Sequence, residues 1–301
     1  MTVSTIILAA GKGTRMKSPT PKILHKIAGK HLIAFSVDLA NAINSKETIV
    51  VINEETEQDT RKALSENNIK FCLQKKQIGT GDAVKTAIKN FASKSKYTLV
   101  LYADTPFVRK GTIKRMISKA NKGSEIVFLG FQKHTKNSYG KFKTAPKKRL
   151  IDIIEKGEPG YSSLDSLSNS GIVLARSKVI ADLIQKIKND NTKKEYYLTD
   201  IVKTATARGL LSTYIQCEED ECLGVNSQLE LSIAEGKFQT DFRKKLMATG
   251  VSMPSPETCF FSHDTIIKAG CVIEPNVVFG IGVEVLNSTV VKSHSYIEGT
   301  M

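Results

Sequence analysis

Leu8-Ala9-Ala10-Gly11-Lys12-Gly13-Thr14-Arg15-Met16, followed by Pro21-Lys22, is the stretch whose reading decides the fold. Ser4–Ala9 reads as a buried strand that runs directly into a glycine-rich turn. Gly11 and Gly13 let backbone N–H groups approach an anion closely, Arg15 can grip phosphate oxygens bidentately, and Lys22 adds a point charge. A Walker A loop would need GxxxxGK[ST]. A dinucleotide fingerprint would need a third glycine where Met16 stands and an acid where Asn53 ends the second strand. A tight turn with surface cations is the plain structural alternative, but it leaves the two cations, the strand exit and Pro21 unconnected.

Outward from this stretch, strand-like and helix-like segments alternate. Leu32, Phe35, Leu39 and Ile43 recur at helical spacing, Thr48–Ile52 is β-branched and strand-like, Glu55–Glu66 is helix-like, and Lys70–Leu73 is a short strand. A helix over Gly81–Phe91, a buried strand over Tyr97–Ala103, a helix over Thr112–Ala120 and a strand over Glu125–Phe131 continue the series. Such alternation predicts a mostly parallel sheet with helices on both faces, whose ligand lies at the carboxyl ends of the strands. Attention therefore falls on the loops after Ala9, Leu73 and Ala103. From residue 226 the pattern changes. Asn226–Met247 reads as one long helix with Leu229, Ile233, Phe242 and Leu246 as a broken apolar stripe, ended by Met253-Pro-Ser-Pro-Glu257. Ile267, Ile273, Phe279, Val285, Val291 and Ile297 then recur every six residues, the mark of a parallel β-helix.

Composition narrows the partners. With 41% hydrophobic and 25% charged residues the chain is globular rather than disordered, and no apolar run approaches the ~20 residues of a membrane span. The first residues lack the pattern of a signal peptide, and five scattered cysteines form no CxxC pair, so a reducing cytoplasm is expected. The net charge of +14 is compatible with nucleic acid, a membrane surface or small phosphorylated substrates. Gly130–Leu150 holds seven Lys/Arg and no acid. Only Phe131, Tyr139 and Phe142 interleave with them, and no nucleic-acid motif appears, so a basic loop is the simpler reading and nucleic acid is not expected.

Leu8–Met16 with Pro21-Lys22-Ile23-Leu24-His25 resembles the signature of sugar-1-phosphate nucleotidyltransferases, most closely the bacterial bifunctional N-acetylglucosamine-1-phosphate uridyltransferase/glucosamine-1-phosphate acetyltransferase family. Gln74 with Gly79-Thr80-Gly81, Tyr102-Ala103-Asp104-Thr105-Pro106, Tyr139-Gly140, Asn169-Ser170-Gly171, Glu195-Tyr196-Tyr197-Leu198-Thr199-Asp200 and Gly224-Val225-Asn226 continue the match in order. The resemblance implies an α/β fold: a Rossmann-like nucleotidyltransferase domain over 1–225, a linker helix over 226–250, and a truncated left-handed β-helix over 251–301. It implies Mg²⁺-dependent transfer of a uridylyl group from UTP to N-acetylglucosamine-1-phosphate, giving UDP-N-acetylglucosamine for peptidoglycan and lipopolysaccharide. Arg15 and Lys22 would be catalytic. Leu8, Ala9, Gly11, Gly13, Gln74, Gly79, Thr80 and Tyr102 would bind the nucleotide, Gly140, Glu155, Asn169, Tyr197 and Thr199 the sugar, and Asp104 and Asn226 the Mg²⁺. A metal held by one or two protein oxygens, with phosphates and waters completing its shell, suits Mg²⁺.

Read without the family, several of these residues have other roles. Asp104 could be a turn residue, Asn226 a helix N-cap, Glu155 a surface charge, and Tyr196 and Tyr197 core aromatics. His25, His263 and His294 have no partner cluster and read as structural or surface histidines. The chain also departs from the family at Ala103 (commonly Gly), Asp82 (often His) and Lys141 (usually Arg), which bears on base and sugar preference. The family's acetyltransferase site lies on further coils, so no acetyl transfer is expected from 301 residues. Two coils ending at Met301 would leave an open apolar cross-section, for which a truncated gene product, a homotrimer or a capping partner are the alternatives. The alternatives are a nucleotidyltransferase for another sugar or base, or a nucleotide-sugar binding module without turnover.

Overall fold

The computed structural model describes residues 2–65, 68–92, 94–133, 137–162 and 166–299. The expected helix end at Glu66, Lys136 of the basic stretch, and Met301 lie outside them. In chain order the elements are β1 (Val3–Leu8), β2 (Lys26–Ile27), β3 (Lys30–His31), α1 (Leu32–Ala42), β4 (Thr48–Ile52), α2 (Glu57–Ala63), β5 (Lys70–Leu73), α3 (Thr80–Lys89), β6 (Tyr97–Tyr102) and α4 (Lys110–Asn121). There follow β7 (Ile126–Lys133), β8 (Lys141–Ala145), β9 (Arg149–Ile154), β10 (Ser166–Arg176), α5 (Ser177–Leu183), α6 (Asp200–Ala207), β11 (Ser212–Cys217) and α7 (Gln228–Ala248). Six two-residue strands close the chain: β12 (Ile266–Ile267), β13 (Val272–Ile273), β14 (Val278–Phe279), β15 (Glu284–Val285), β16 (Val290–Val291) and β17 (Tyr296–Ile297). Two compact units result, residues 1–12 with 33–224 and residues 13–32 with 225–301.

The first unit is built on a nine-stranded sheet of order β5-β4-β1-β6-β10-β7-β11-β9-β8. β1 pairs in parallel with β4 and β6, and β4 with β5. The expected mostly parallel sheet is corrected beyond β6. There β10 runs antiparallel to both β6 and β7, and β8–β9 and β9–β11 are antiparallel too, so the sheet is mixed. The reason is that strands β7 to β10 follow one another without an intervening helix. Ile6, Val51, Val100, Phe128 and Val173 share one core with residues of α3, α5 and α6. Their neighbours Ile7, Val50, Leu99, Leu101 and Val127 are equally buried, so both faces of the sheet are covered.

The second unit joins α7, the short strands and the segment 13–32. Each six-residue repeat supplies one short strand. Strands pair in parallel with the strand three repeats on: Ile267 with Val285, Ile273 with Val291, Phe279 with Ile297. The second residue of each strand points inward, and all but the half-buried Ile297 are buried. The β2–β3 hairpin turns at Ala28-Gly29, both with positive φ. Ala28 N–H donates to Glu235 Oε2 (2.7 Å), and its carbonyl accepts from the His263 backbone N–H (2.9 Å) and Ser262 Oγ (3.2 Å), with the His263 ring Nδ1 3.2 Å from the same oxygen.

The apolar stripe expected on α7 holds at Phe242 and Leu246 and is corrected at Leu229 and Ile233. Leu229 and Ile233 are exposed, while Ala234, Gln239 and Leu246 are buried and Phe242 packs on the same core. The surprise is polar. Gln239 exchanges two hydrogen bonds with the Phe261 backbone, Nε2 to its carbonyl (2.7 Å) and Phe261 N–H to Oε1 (2.9 Å). Around it Phe238, Phe242, Phe261 and Phe279 form a chain of ring contacts with centroids 5.0–5.6 Å apart. Gln239→Ala leaves both Phe261 groups without partners in a buried place. It should lower unfolding free energy by about 2–4 kcal/mol, seen as a fall in thermal midpoint.

Candidate functional site

In the first unit the chain leaves β1, β4, β5 and β6 along one edge of the sheet. Ladder hydrogen bonds fix the sequence of these exits: Ala9 N–H to Val51 O (2.9 Å), Gln74 N–H to Ile52 O (2.8 Å) and Ala103 N–H to Leu8 O (3.0 Å). Asn53, where a dinucleotide fold would place an acid, binds Ala10 O through Nδ2 (3.0 Å) and caps the following turn through Oδ1 to Thr56 N–H (2.9 Å). Leu8 is half-buried and Ala9 buried, while Gly11 is exposed, and a Cβ there would meet nothing within 4 Å.

Gln74 is buried, and its amide nitrogen donates to Gly79 O (3.1 Å) and Asp82 Oδ2 (2.9 Å). Both amide hydrogens are thus committed inside the protein, which leaves the carbonyl oxygen for a ligand. Asp82, where the family often has His, thus anchors this side chain. The Gly79-Thr80-Gly81 turn is pressed against the backbone of Tyr196. Gly81 N–H donates to Tyr196 O (2.8 Å), Tyr196 N–H to Ile78 O (2.8 Å), and Leu198 N–H to Thr80 Oγ1 (3.1 Å). Gly79 has φ +121°, and a Cβ there would lie 2.4 Å from Tyr196 O. Tyr102 packs on Gly171, whose added Cβ would come within 2.6 Å of the ring. Burial, and then Glu155 and Asp104, push its phenol far above the ordinary range, while a hydrogen bond with Thr80 works the other way.

Asp104 is half-buried in the turn after β6. Three donors converge on the Tyr102 carbonyl that opens this turn: Ser36 Oγ (2.9 Å), Thr105 Oγ1 (3.0 Å) and Thr105 N–H (3.4 Å). Among the described residues no group of three or more His, Cys, Asp and Glu gathers as a metal cluster.

The residues expected to bind the sugar come together from four stretches of chain. Thr199 Oγ1 donates to Glu155 Oε1 (3.0 Å), Gly140 faces the same carboxyl so closely that a Cβ would lie 3.0 Å from it, and Asn169 N–H donates to Gly140 O (2.8 Å). Glu155 is therefore no surface charge. Burial raises its carboxyl pKa, and the Thr199 bond and Lys193 moderate the rise. Tyr197 is pushed up to about 12 by burial, then by Glu195 and Glu155. Lys141 is buried and donates to Asn137 Oδ1 (2.8 Å) and Ser168 Oγ (2.9 Å), and burial lowers its pKa. Glu155, Tyr197, Asp152, Asp200 and Lys203 share a cavity of about 680 Å³.

In the second unit Asn226 gathers the two basic residues of the opening motif. Its Oδ1 accepts from Arg15 Nη2 (2.8 Å) and Lys22 Nζ (3.2 Å). Gly13, at φ +63°, is required by proximity to Lys22, because a Cβ there would lie 2.6 Å from the lysine Cβ. Asn226 is not the helix cap. Ser227 caps α7 by accepting from Glu230 N–H (3.2 Å), and Glu230 Oε2 accepts from Asn226 N–H (2.7 Å). The Ser227-Gln-Leu-Glu230 spacing, a capping-box signal, was the legible cue to this arrangement.

Gly79→Ala should cost about 2 kcal/mol or more and lower the thermal midpoint, because neither φ nor space permits the methyl. Asp200 offers a pH test. Burial raises its carboxyl from 3.8 to about 6, with Lys203 opposing. An unfolded chain gives up this proton at lower pH than the fold does, so the wild type loses stability as pH rises from about 4 to about 6. Asp200→Asn should escape that loss, and its thermal midpoint relative to wild type should rise between pH 4 and pH 7.

Residues 5–195 match the MobA-like NTP transferase domain. The chain is 37% identical over 302 positions to the bifunctional protein GlmU of Caulobacter vibrioides, covering 99% of the chain and 65% of that protein. It is 40% identical over 267 positions to GlmU of Maricaulis maris, covering 88% of the chain and 58% of that protein. The chain thus spans less than two thirds of the length of these relatives. The crystal structure of HddC from Yersinia pseudotuberculosis, complexed with GMP-PN, superposes with TM-score 0.57 at 19% identity over 79% of the chain and all of HddC, which supports the fold. The match over 5–195, together with the motifs that follow Leu8–Met16, makes this chain a member of the MobA-like NTP transferase domain family, and so a nucleotidyltransferase.

Proposed function

We propose that the protein transfers a uridylyl group from UTP to N-acetylglucosamine-1-phosphate, releasing pyrophosphate. One observation carries the choice of acceptor: of the residues that the resemblance assigns to an N-acetylated sugar, Thr199 and Gly140 meet the half-buried Glu155 carboxyl, and Asn169 bonds to Gly140. Similarity to two GlmU proteins supports the same reading. A phosphate oxygen of the sugar phosphate attacks the α-phosphorus of UTP, and pyrophosphate leaves. Both reactants are polyanions, so positioning and charge neutralisation dominate catalysis. Arg15 and Lys22, held by one amide oxygen, present two cations to the phosphates. Gln74 offers its free carbonyl oxygen to the base, and Glu155 with Thr199 orients the sugar.

By resemblance Asp104 and Asn226 would each offer an oxygen to Mg²⁺; the Asp104 carboxylate suits a hard cation, whereas Asn226 Oδ1 already accepts from Arg15 and Lys22 and would have to exchange those bonds for the ion. When bound, the ion would neutralise phosphate charge. A left-handed β-helix for the C-terminal repeats and a cytoplasmic setting belong to the same proposal. Among the described residues no helix is long and apolar enough to cross a membrane.

Purified protein given UTP, N-acetylglucosamine-1-phosphate and Mg²⁺ should release pyrophosphate in a coupled phosphate assay. Silence with every common nucleoside triphosphate and sugar phosphate would sink the enzyme reading, while turnover with a different pair would move the specificity. Asp104→Ala and Lys22→Ala should each cut kcat by about 100-fold or more at unchanged thermal midpoint. A fully active Asp104→Ala protein would refute the metal role.

A further inference from the structure

Two cysteines that nucleotidyl transfer does not use lie together in the first unit. Cys217 ends β11, and Cys222 ends the 3-10 turn Glu219–Cys222; their sulfurs are 3.3 Å apart and both side chains are buried. The fold holds each from its own side. Cys217 is in register with Phe131 of β7, and its Sγ lies 3.6 Å from Gly130 O. The turn is anchored by buried Glu221, which accepts from Thr112 Oγ1 (2.6 Å) and Arg109 N–H (3.1 Å) at the start of α4. The pair is therefore pre-assembled by the sheet and by α4, not by its own short connection.

The two sulfurs differ in access. Cys217, and not Cys222, lines a cavity of about 450 Å³ with Gln132, Gln216, Glu218 and Glu219. The Cys222 thiol is pushed far above the ordinary range by its contact with Cys217 and by burial. The remaining cysteines lack such an arrangement. Cys259 and Cys271 point their sulfurs at backbone carbonyls, of Glu274 (3.4 Å) and Leu286 (2.8 Å), and burial raises the Cys72 thiol to about 11.

We propose that Cys217 and Cys222 form a peroxide-responsive dithiol, with Cys217 the sulfur attacked first and Cys222 the resolving partner. Cys217 sulfur attacks one oxygen of a hydroperoxide. The O–O bond breaks, an alcohol or water leaves, and Cys217 becomes a sulfenic acid. Cys222 sulfur then attacks Cys217 sulfur, the S–O bond breaks and water leaves. In all, two thiols give up two protons and two electrons to the peroxide and gain one S–S bond. The sulfurs must close from 3.3 Å to about 2.05 Å. In a reducing compartment thiol–disulfide exchange returns the dithiol, so the bridge is transient.

The test uses the full chain and hydrogen peroxide. Thiols titrated after denaturation should fall from five to three, and dithiothreitol should restore all five. A glutamate-specific protease cuts within Cys217-Glu-Glu-Asp-Glu-Cys222, so the bridge should appear as two peptides joined at these cysteines. In Cys222→Ser, dimedone should label Cys217; in Cys217→Ser, Cys222 should remain unlabelled. The wild-type thiol count and peptide map require no variant to fold. Five thiols surviving excess peroxide, a bridge mapped to other cysteines, or dimedone label on Cys222 in Cys217→Ser would each overturn the proposal.

Discussion

The hydrogen bonding of β1 on both sides by parallel strands is the constraint on which the first unit depends. Parallel neighbours send their chains out over the same edge, so Ala9, Gln74 and Ala103 emerge in a row, each tied to the neighbouring strand by a ladder bond. A strand flanked in this way must also be buried on both faces. Ile6 and Ile7, adjacent in sequence and pointing to opposite sides, are both fully buried for this reason. Polar residues of the exit loops, Gln74 and Asp104 among them, are thereby excluded from the faces and collect at the edge.

Within each unit, glycine answers more than one physical demand. Gly11 is in open space and has no packing reason to lack a side chain, which is what close approach of a ligand to backbone N–H groups would require. Gly79 and Gly81 lack one because the Tyr196 backbone occupies the space, and Gly13 because Lys22 does. Two of the glycine motifs thus act through the protein itself: one clamps the 196–198 segment against α3, the other seats a lysine. Polar side chains show the same economy. Asp82 orients Gln74, Glu230 holds the Asn226 backbone, and Asn226 in turn gathers Arg15 and Lys22.

Elements with strong local signals were legible from residues alone. Thr48–Ile52 and Lys70–Leu73 coincide with β4 and β5, and the six-residue repeat from Ile267 to Ile297 marks the inward residue of each short strand. Elements whose partners are distant were not. The antiparallel half of the sheet depends on which strand β10 finds, and no periodicity in Ser166–Arg176 encodes that choice. The buried face of α7 was misread because apolar content suggested Leu229 and Ile233, whereas the helix turns Gln239 inward to satisfy a backbone that packing brings beside it.

Sequence by itself determined the alternation of strands and helices, the glycine-rich and basic character of Leu8–Met16 and the hexad repeat, because each is written in neighbouring residues and their spacing. Only tertiary structure decided that Glu155 is a half-buried carboxyl bound by Thr199 beside Gly140, that Asn226 binds two cations rather than capping a helix, and that Cys217 and Cys222 touch. The physical reason is common to all three. A side chain's charge, access and partners are set by which distant segments the fold packs around it, and burial then changes the chemistry of a group whose identity was visible from the start.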